Sequence, residues 1–149
     1  MGEPVTAWEG VTFGKAGGAK AGRVVEIQLY KKGLTGDVPV ALGALTALKV
    51  LDLGGNQLTR VPAELGGLTA LTVLGLGGNQ LTSVPAELGG LTTLMFLNLS
   101  GNRPTSVPVE LGGLTALTVL RLSENQLMSM PAEWKRGGAL QMSGCSIYR

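Results

Sequence analysis

Four glutamates are the side chains in this chain whose type and spacing could support acid–base chemistry. Each lies 23 residues after the one before, and they are Glu64, Glu87, Glu110 and Glu133. Paired carboxylates that act as acid and base need unequal environments, which equivalent repeated positions do not offer. The sequence has no histidine, and Cys145 is its only cysteine. We therefore expect no catalytic residue, no metal site and no cofactor.

The overall charge and hydropathy also bear on the choice of partner. A net charge of +2 is too small to indicate binding to nucleic acid or to an anionic membrane. No stretch of about 18 apolar residues could span a bilayer, and the first residues do not resemble a secretory signal. We expect no nucleic-acid partner, no membrane partner and a cytoplasmic location, or an extracellular one if the natural chain begins earlier.

A string rich in leucine and glycine returns every 23 residues, beginning at Leu48, Leu71, Leu94 and Leu117. A period of this size marks an architecture in which stacked units bury each other's apolar faces. The pattern LxxLxLxxNxL followed by Val-Pro resembles the leucine-rich repeat. The resemblance implies an α/β fold, a right-handed curved solenoid. Its parallel sheet would form the concave face, with short helices, 3₁₀ turns or loops on the convex face.

The resemblance also divides the chain into three parts. Residues 1–23 are expected to form an N-terminal cap and a glycine-rich loop, because the stretch from Trp8 to Phe13 resembles the cap of plant-type leucine-rich repeat proteins. Phe13 stands where that cap has a cysteine, so we expect a cap held by packing and not by a disulfide. The alternative is an unstructured leader with a single tryptophan.

Five repeats are predicted over residues 24–139, and residues 140–149 form a partial sixth repeat or the C-terminal end. In the first repeat Lys32 replaces the asparagine, and its longer LxGxxP form resembles the plant-specific subclass. In the last, Ser143 and Cys145 occupy leucine positions. Such an open final repeat would allow self-association with a second copy.

Within one repeat, each position has a predicted structural role. The alternation from Val50 to Gly54 places Leu51 and Leu53 in the core and the other side chains on one sheet face. A structural ladder that satisfies backbone groups at the turns is predicted for the recurring asparagines, which are Asn56, Asn79, Asn102 and Asn125.

On the return path of the chain, Pro62 is expected to lie in the first turn of a short helix. Glu64 suits the positive end of that helix, and Gly66-Gly67 is expected to end it. Pro104 interrupts a leucine column, so we expect a local packing defect there.

The outward face of the strands is the candidate site for a partner. Its first column is predicted to run through Glu26, Val50, Val73, Phe96, Val119 and Met142, and its second through Gln28, Asp52, Gly75, Asn98, Arg121 and Gly144. The predicted partner-binding residues are Glu26, Gln28, Tyr30, Val50, Asp52, Val73, Phe96, Asn98, Arg103, Val119 and Arg121. Strand propensity alone would also produce the valines, whereas a phenylalanine at Phe96 favours a binding surface.

The sequence thus predicts a non-catalytic module that binds a protein or peptide through its concave face. That face has an area on the order of 400 Å², about half of what one partner buries in a standard interface. Two alternatives remain. The chain could be the ligand-recognition segment of a larger receptor-like kinase or GTPase signalling protein, or a structural or engineered repeat scaffold without a ligand.

Overall fold

The structure, a computed structural model, describes residues 9–15, 18, 22–134 and 145–148. Trp8, which was expected to cap the leucine stack, lies outside these residues. Met142, Ser143 and Gly144 from the predicted sixth repeat also lie outside them. None of the helices in the described part of the chain has the length and apolar character needed to span a bilayer.

Short β-strands recur through the described residues. They are β1 (Val11–Phe13), β2 (Val24–Gln28), β3 (Thr35–Asp37), β4 (Val50–Asp52), β5 (Gln57–Arg60), β6 (Val73–Gly75), β7 (Phe96–Asn98), β8 (Val119–Arg121) and β9 (Ser146–Tyr148). One seven-stranded sheet has the order β1-β2-β4-β6-β7-β8-β9. It is parallel from β2 to β9, and β1 pairs antiparallel with β2. The predicted α/β solenoid with a parallel sheet is confirmed.

Columns of leucine fill the space behind this sheet. The strand register aligns Leu51, Leu74, Leu97 and Leu120 in one row, and each of these side chains is completely buried. Alternate residues of a strand point to opposite faces, so this inward row fixes the residues on either side of it as outward. Burying each leucine contributes about 1.5–3 kcal/mol. At the leucine position of the fourth repeat, Pro104 is itself buried.

The convex side carries 3₁₀ helices at the positions where helices were expected. They are Val40–Ala44, Ala63–Gly67, Ala86–Gly90, Val109–Gly113 and Ala132–Trp134. Pro62 is extended and precedes its helix as the N-cap residue, so it does not lie in the first turn as predicted. Gly66-Gly67 are the last two residues of this helix and Leu68 is its C-cap residue, so the helix ends where the two glycines were expected to end it.

Close stacking between neighbouring repeats explains the first of these glycines. A β-carbon on Gly66 would lie 2.6 Å from the backbone oxygen of Glu87 in the next 3₁₀ helix. The same approach occurs one repeat earlier, where a β-carbon on Gly43 would lie 2.5 Å from the backbone oxygen of Glu64. Glycine at this position therefore sets how closely the convex helices pack.

A second, two-stranded sheet joins β3 to β5 in parallel. All three residues of β3 are exposed, and only Leu58 of β5 is buried. The sequence reasoning did not predict this sheet, because exposed strands of this kind lack the apolar alternation that marks a strand. It lies where the first two repeats leave the main sheet.

The two ends of the main sheet are formed differently. At the N-terminal end, β1 covers the edge of β2, and Lys32 forms an ion pair with Glu9 at 2.7 Å. At the other end, β9 pairs with β8 so that Ile147 lies opposite Leu120. The predicted columns ended at Met142 and Gly144, but Ser146 and Tyr148 occupy those places. This register puts an isoleucine, and not Ser143, at the inward position.

Candidate functional site: the concave strand face

The turns that follow the strands are held by the asparagine ladder. Asn79 is typical, since its side-chain nitrogen donates to the backbone oxygens of Leu53 at 3.1 Å and Leu76 at 3.0 Å. Its side-chain oxygen accepts a hydrogen bond from the N–H of Leu58 at 3.0 Å. One amide therefore bridges two consecutive repeats. Equivalent bridges are made by the side-chain nitrogens of Asn56, Asn102 and Asn125.

Most of the predicted partner-binding residues fall in two rows of the main sheet. The strand pairing aligns one row through Glu26, Val50, Val73, Phe96 and Val119, and a second through Gln28, Asp52, Gly75, Asn98 and Arg121. Tyr30 lies just beyond β2 and is exposed. Arg103 is exposed in the segment after the Asn102 turn, where its backbone N–H donates to Leu81. It lies outside the two rows.

A shallow groove of about 420 Å³ runs over the centre of this face. Its lining comprises Tyr30, Asp52, Gly54, Gly55, Val73, Gly75, Gly77, Gly78, Phe96, Asn98, Ser100, Gly101 and Glu124. The predicted partner-binding residues included neither Glu124 nor any of these glycines. In the structure the glycines form the floor, and the aromatic rings of Tyr30 and Phe96 lie on its walls. Glycines at outward positions of consecutive repeats were the signal for such a depression.

Two floor glycines leave room for polar side chains of the neighbouring strands. A β-carbon on Gly75 would lie 2.7 Å from Oδ1 of Asp52, and one on Gly77 would lie 2.7 Å from Nδ2 of Asn98. Both side chains therefore lean over bare backbone. Any larger residue at these positions would displace them.

Local hydrogen bonds orient these two side chains. Asp52 accepts a bond from the N–H of Gly54 at 3.0 Å through Oδ1. Asn98 accepts bonds from the N–H and the hydroxyl of Ser100 at 3.0 and 2.6 Å. Within the described part of the chain, no hydrogen bond reaches Oδ2 of Asp52 or Nδ2 of Asn98. These two side chains thus offer the groove one unbonded acceptor, Oδ2 of Asp52, and one unbonded donor, Nδ2 of Asn98.

Arg121 lies next to the groove between two aromatic rings. Its guanidinium carbon is 5.5 Å from the ring centroid of Phe96 and 6.0 Å from that of Tyr148. Cation–π attraction of this kind holds the cation in place while leaving its N–H donors available. No carboxylate of the described residues forms an ion pair with Arg121. Tyr148 was missed because its strand was predicted in another register.

Two ionisable groups outside the groove have shifted pKa values. A hydrogen bond and the charge of Lys32 lower the pKa of Glu9 in the N-terminal segment. Partial burial raises the pKa of the Cys145 thiol, which disfavours the reactive thiolate. Among the described residues there is no group of three histidine, cysteine or acidic side chains that could hold a metal ion.

Comparison with known sequences decides the family. A profile of the family described as leucine-rich repeat region matches residues 20–134. The chain belongs to the leucine-rich repeat family. The resemblance inferred from the repeated leucines and asparagines is therefore confirmed.

Receptor proteins of plants are among the relatives of this leucine-rich repeat chain. The receptor protein kinase WSS1 of Oryza sativa subsp. japonica is 45% identical over 58 residues, which are 39% of this chain and 6% of the kinase. The chain thus spans only a small part of this relative's length.

Solved structures of receptor ectodomains share the fold. The BIR3–SERK2 complex of Arabidopsis thaliana matches with 31% identity and a TM-score of 0.77, over 92% of this chain and 74% of that chain. The ectodomain of the receptor kinase SOBIR1 matches with 26% identity and a TM-score of 0.79, over 95% and 78%. The Arabidopsis receptor kinase HAESA, solved with the peptide hormone IDA and the co-receptor SERK1, matches with 35% identity and a TM-score of 0.62, over 69% and 18%. The chain shares its fold with these plant receptor proteins, and these relatives do not support the expected cytoplasmic location.

Proposed function

We propose that this chain is a non-catalytic binding module whose concave face recognises an extended peptide or a peptide-like segment of a protein. The groove between Tyr30 and Phe96 is the observation that carries the proposal, because it combines aromatic walls, a backbone floor and oriented polar groups. Small numbers of oriented polar groups on a mostly apolar surface are typical of recognition sites.

One outward row of the concave face differs from repeat to repeat, whereas the inward residues of strands β4, β6, β7 and β8 are the same in each repeat. The inward row is leucine in four successive strands, whereas the outward row beside it changes from Asp52 through Gly75 and Asn98 to Arg121. A scaffold without a ligand has no need for such variation, since exposed positions of identical repeats can be identical. This contrast favours a binding module over a ligand-free scaffold.

The size of the face favours a peptide as the partner. Its area, on the order of 400 Å², is about half of what a globular partner buries on each side. An extended segment can use the groove fully, whereas a folded partner would also need the edge loops. HAESA, a structural relative, was solved with a peptide hormone, and BIR3 was solved in complex with SERK2.

We further propose that the module is the extracellular recognition segment of a larger receptor-like kinase. The match to a rice receptor kinase over 6% of that protein supports this proposal, as do the ectodomain folds of the solved relatives. No observation favours a GTPase partner domain, so that alternative is not retained.

Selection from a random-peptide display library on the immobilised chain tests the binding function. Peptides that bind the wild type are then measured against Phe96→Ala and against Val109→Ala, whose valine is exposed on a convex 3₁₀ helix. Removing an aromatic anchor from an interface costs about 2 kcal/mol, or about thirtyfold in Kd. We expect that loss for Phe96→Ala and unchanged binding for Val109→Ala.

Two results would contradict the proposed function. One is that no peptide is enriched over a blank surface, which would favour the scaffold. The other is that both substitutions weaken binding equally while the variants keep the wild-type circular dichroism spectrum and unfolding midpoint. The peptides would then not bind through the concave face.

A further inference from the structure

Within one row of the concave face, Asp52 and Arg121 carry opposite charges on either side of Gly75 and Asn98. We propose that this face selects an extended segment with one basic and one acidic side chain four residues apart, the basic one over Asp52 and the acidic one over Arg121. This inference rests on the proposed function and specifies the class of peptide that the same face accepts.

The spacing follows from the strand register. Asp52, Gly75, Asn98 and Arg121 lie side by side in β4, β6, β7 and β8. Neighbouring strands are about 4.8 Å apart, so three spacings separate the carboxylate and guanidinium positions by about 14 Å. In an extended peptide, residues i and i+4 point to the same side and lie about 13 Å apart. A peptide that crosses the strands can therefore match both charges.

Neither charge is neutralised within the described part of the protein. The carboxylate of Asp52 accepts one backbone hydrogen bond, and Arg121 contacts aromatic rings, but neither forms an ion pair. A separation of about 14 Å exceeds the Debye length of about 8 Å at physiological salt, so the two groups interact little with each other. Each is free to attract a ligand charge.

Between the two charges the surface is suited to a peptide backbone. Gly75 is buried under the side chain of Asp52, so a ligand that crosses this strand meets the carboxylate of Asp52 directly. Beside it, Nδ2 of Asn98 can donate to a ligand carbonyl. Glu124, which lines the same groove, is a second candidate for the basic side chain, and the experiment must separate it from Asp52.

Titration of the isotope-labelled chain with capped seven-residue peptides tests the inference. The probe is acetyl-Ser-Lys-Ser-Gly-Ser-Glu-Ser-amide, together with the peptide in which lysine and glutamate are exchanged. Controls carry glutamine at both charged positions, or carry the same charges two residues apart. Chemical shifts of the backbone amides of Gly75 and Gly77 report binding to the groove.

We expect one of the peptides with four-residue spacing to bind between about 4-fold and 25-fold more tightly than the glutamine peptide. Each exposed ion pair supplies about two- to fivefold of this factor. Asp52→Asn and Arg121→Gln should each lower the ratio of the two affinities, charged peptide over glutamine peptide, by about two- to fivefold. Glu87→Gln, on an exposed convex position, is the matched control and should change nothing.

Equal affinity for the charged and glutamine peptides, or for the two spacings, would overturn the inference. The proposed function would stand in that case, because the same amides would still respond. If Glu124→Gln removes the advantage and Asp52→Asn does not, the assignment of the basic side chain to Asp52 is wrong. If no peptide shifts the amides of the groove, the charge pattern is wrong, and display selection with Phe96→Ala decides the proposed function independently.

Discussion

The side-chain oxygen of Asn125 accepts a hydrogen bond from the backbone N–H of Asn102 at 2.8 Å. One repeat earlier, the equivalent oxygen of Asn102 accepts its bond from the N–H of Leu81 at 3.0 Å. Pro104 takes the place of that leucine in the fourth repeat and has no N–H to donate. The ladder therefore lacks one of its regular bonds at this repeat.

Replacing Pro104 by leucine should restore the bond and fill the leucine column. A buried hydrogen bond contributes about 0.5–1.5 kcal/mol, and the larger side chain adds apolar burial. The unfolded chain gains about 0.4–1 kcal/mol of conformational freedom when the proline is lost. We expect a net gain of about 1 kcal/mol in the free energy of unfolding, measured with urea. An unchanged or lower value would show that the proline is already well accommodated.

Truncating a leucine side chain at the centre of the core should lower the free energy of unfolding substantially. Leu97 is 0% exposed, so Leu97→Ala should lower the free energy of unfolding by about 2–5 kcal/mol. Met95, two residues away and 50% exposed, provides the control, since Met95→Ala should change it by less than about 0.5 kcal/mol. A loss well under 1 kcal/mol for Leu97→Ala would contradict the proposed core.

Alanine substitutions at two adjacent glycines of one 3₁₀ helix should have opposite effects on the stability of the fold. A β-carbon on Gly66 would meet the backbone oxygen of Glu87 at 2.6 Å, so Gly66→Ala should destabilise the fold by about 1–3 kcal/mol. On Gly67 the nearest atom would be 3.6 Å away, and Gly67→Ala should stabilise by about 0.4–1 kcal/mol. Thermal unfolding of the two variants checks the pair. If the two substitutions changed the unfolding temperature equally, neighbouring repeats would be able to separate enough to accept a β-carbon at Gly66 at little cost in stability.

Removing an asparagine of the ladder should lower the free energy of unfolding more than removing a surface hydrogen bond does. Asn79→Ala removes bonds to Leu53, Leu58 and Leu76 and leaves their backbone groups buried without that partner. At about 1 kcal/mol each, the cost should reach about 3 kcal/mol. Thr118→Ala, which removes one exposed bond to Met95, should cost under about 1 kcal/mol. Denaturant unfolding of both variants measures the difference, and similar values would exclude a special role for the ladder.

The parts of the fold that depend on a repeating pattern could be predicted from the sequence. The row through Leu51 and Leu74 follows from period-two alternation inside a 23-residue repeat. The last strand departs from that pattern, because Ile147 and not Ser143 takes the inward position. Where the repeat degenerates, the choice between two registers depends on tertiary packing that the sequence does not display.

The candidate site was predictable in its location but not in its shape. Alternation placed Asp52 and Asn98 on the outward face, as the strand pairing has them. Their tilt over Gly75 and Gly77 depends on contacts between repeats, which a pattern within one repeat does not contain. The contact between Arg121 and the ring of Tyr148 could not be predicted either, because the register between their two strands was predicted incorrectly.

In the main sheet, β4, β6, β7 and β8 each pair only with the strands of the preceding and following repeats. In such a one-dimensional array, stability is a sum of nearest-neighbour terms, and opening begins at an end. Amide hydrogens of β2 and β8 should therefore exchange with solvent sooner than those of β6. The glycines of the groove floor, from Gly54 to Gly101, belong to the repeats of β4, β6 and β7, so fraying of either terminus would leave this floor assembled.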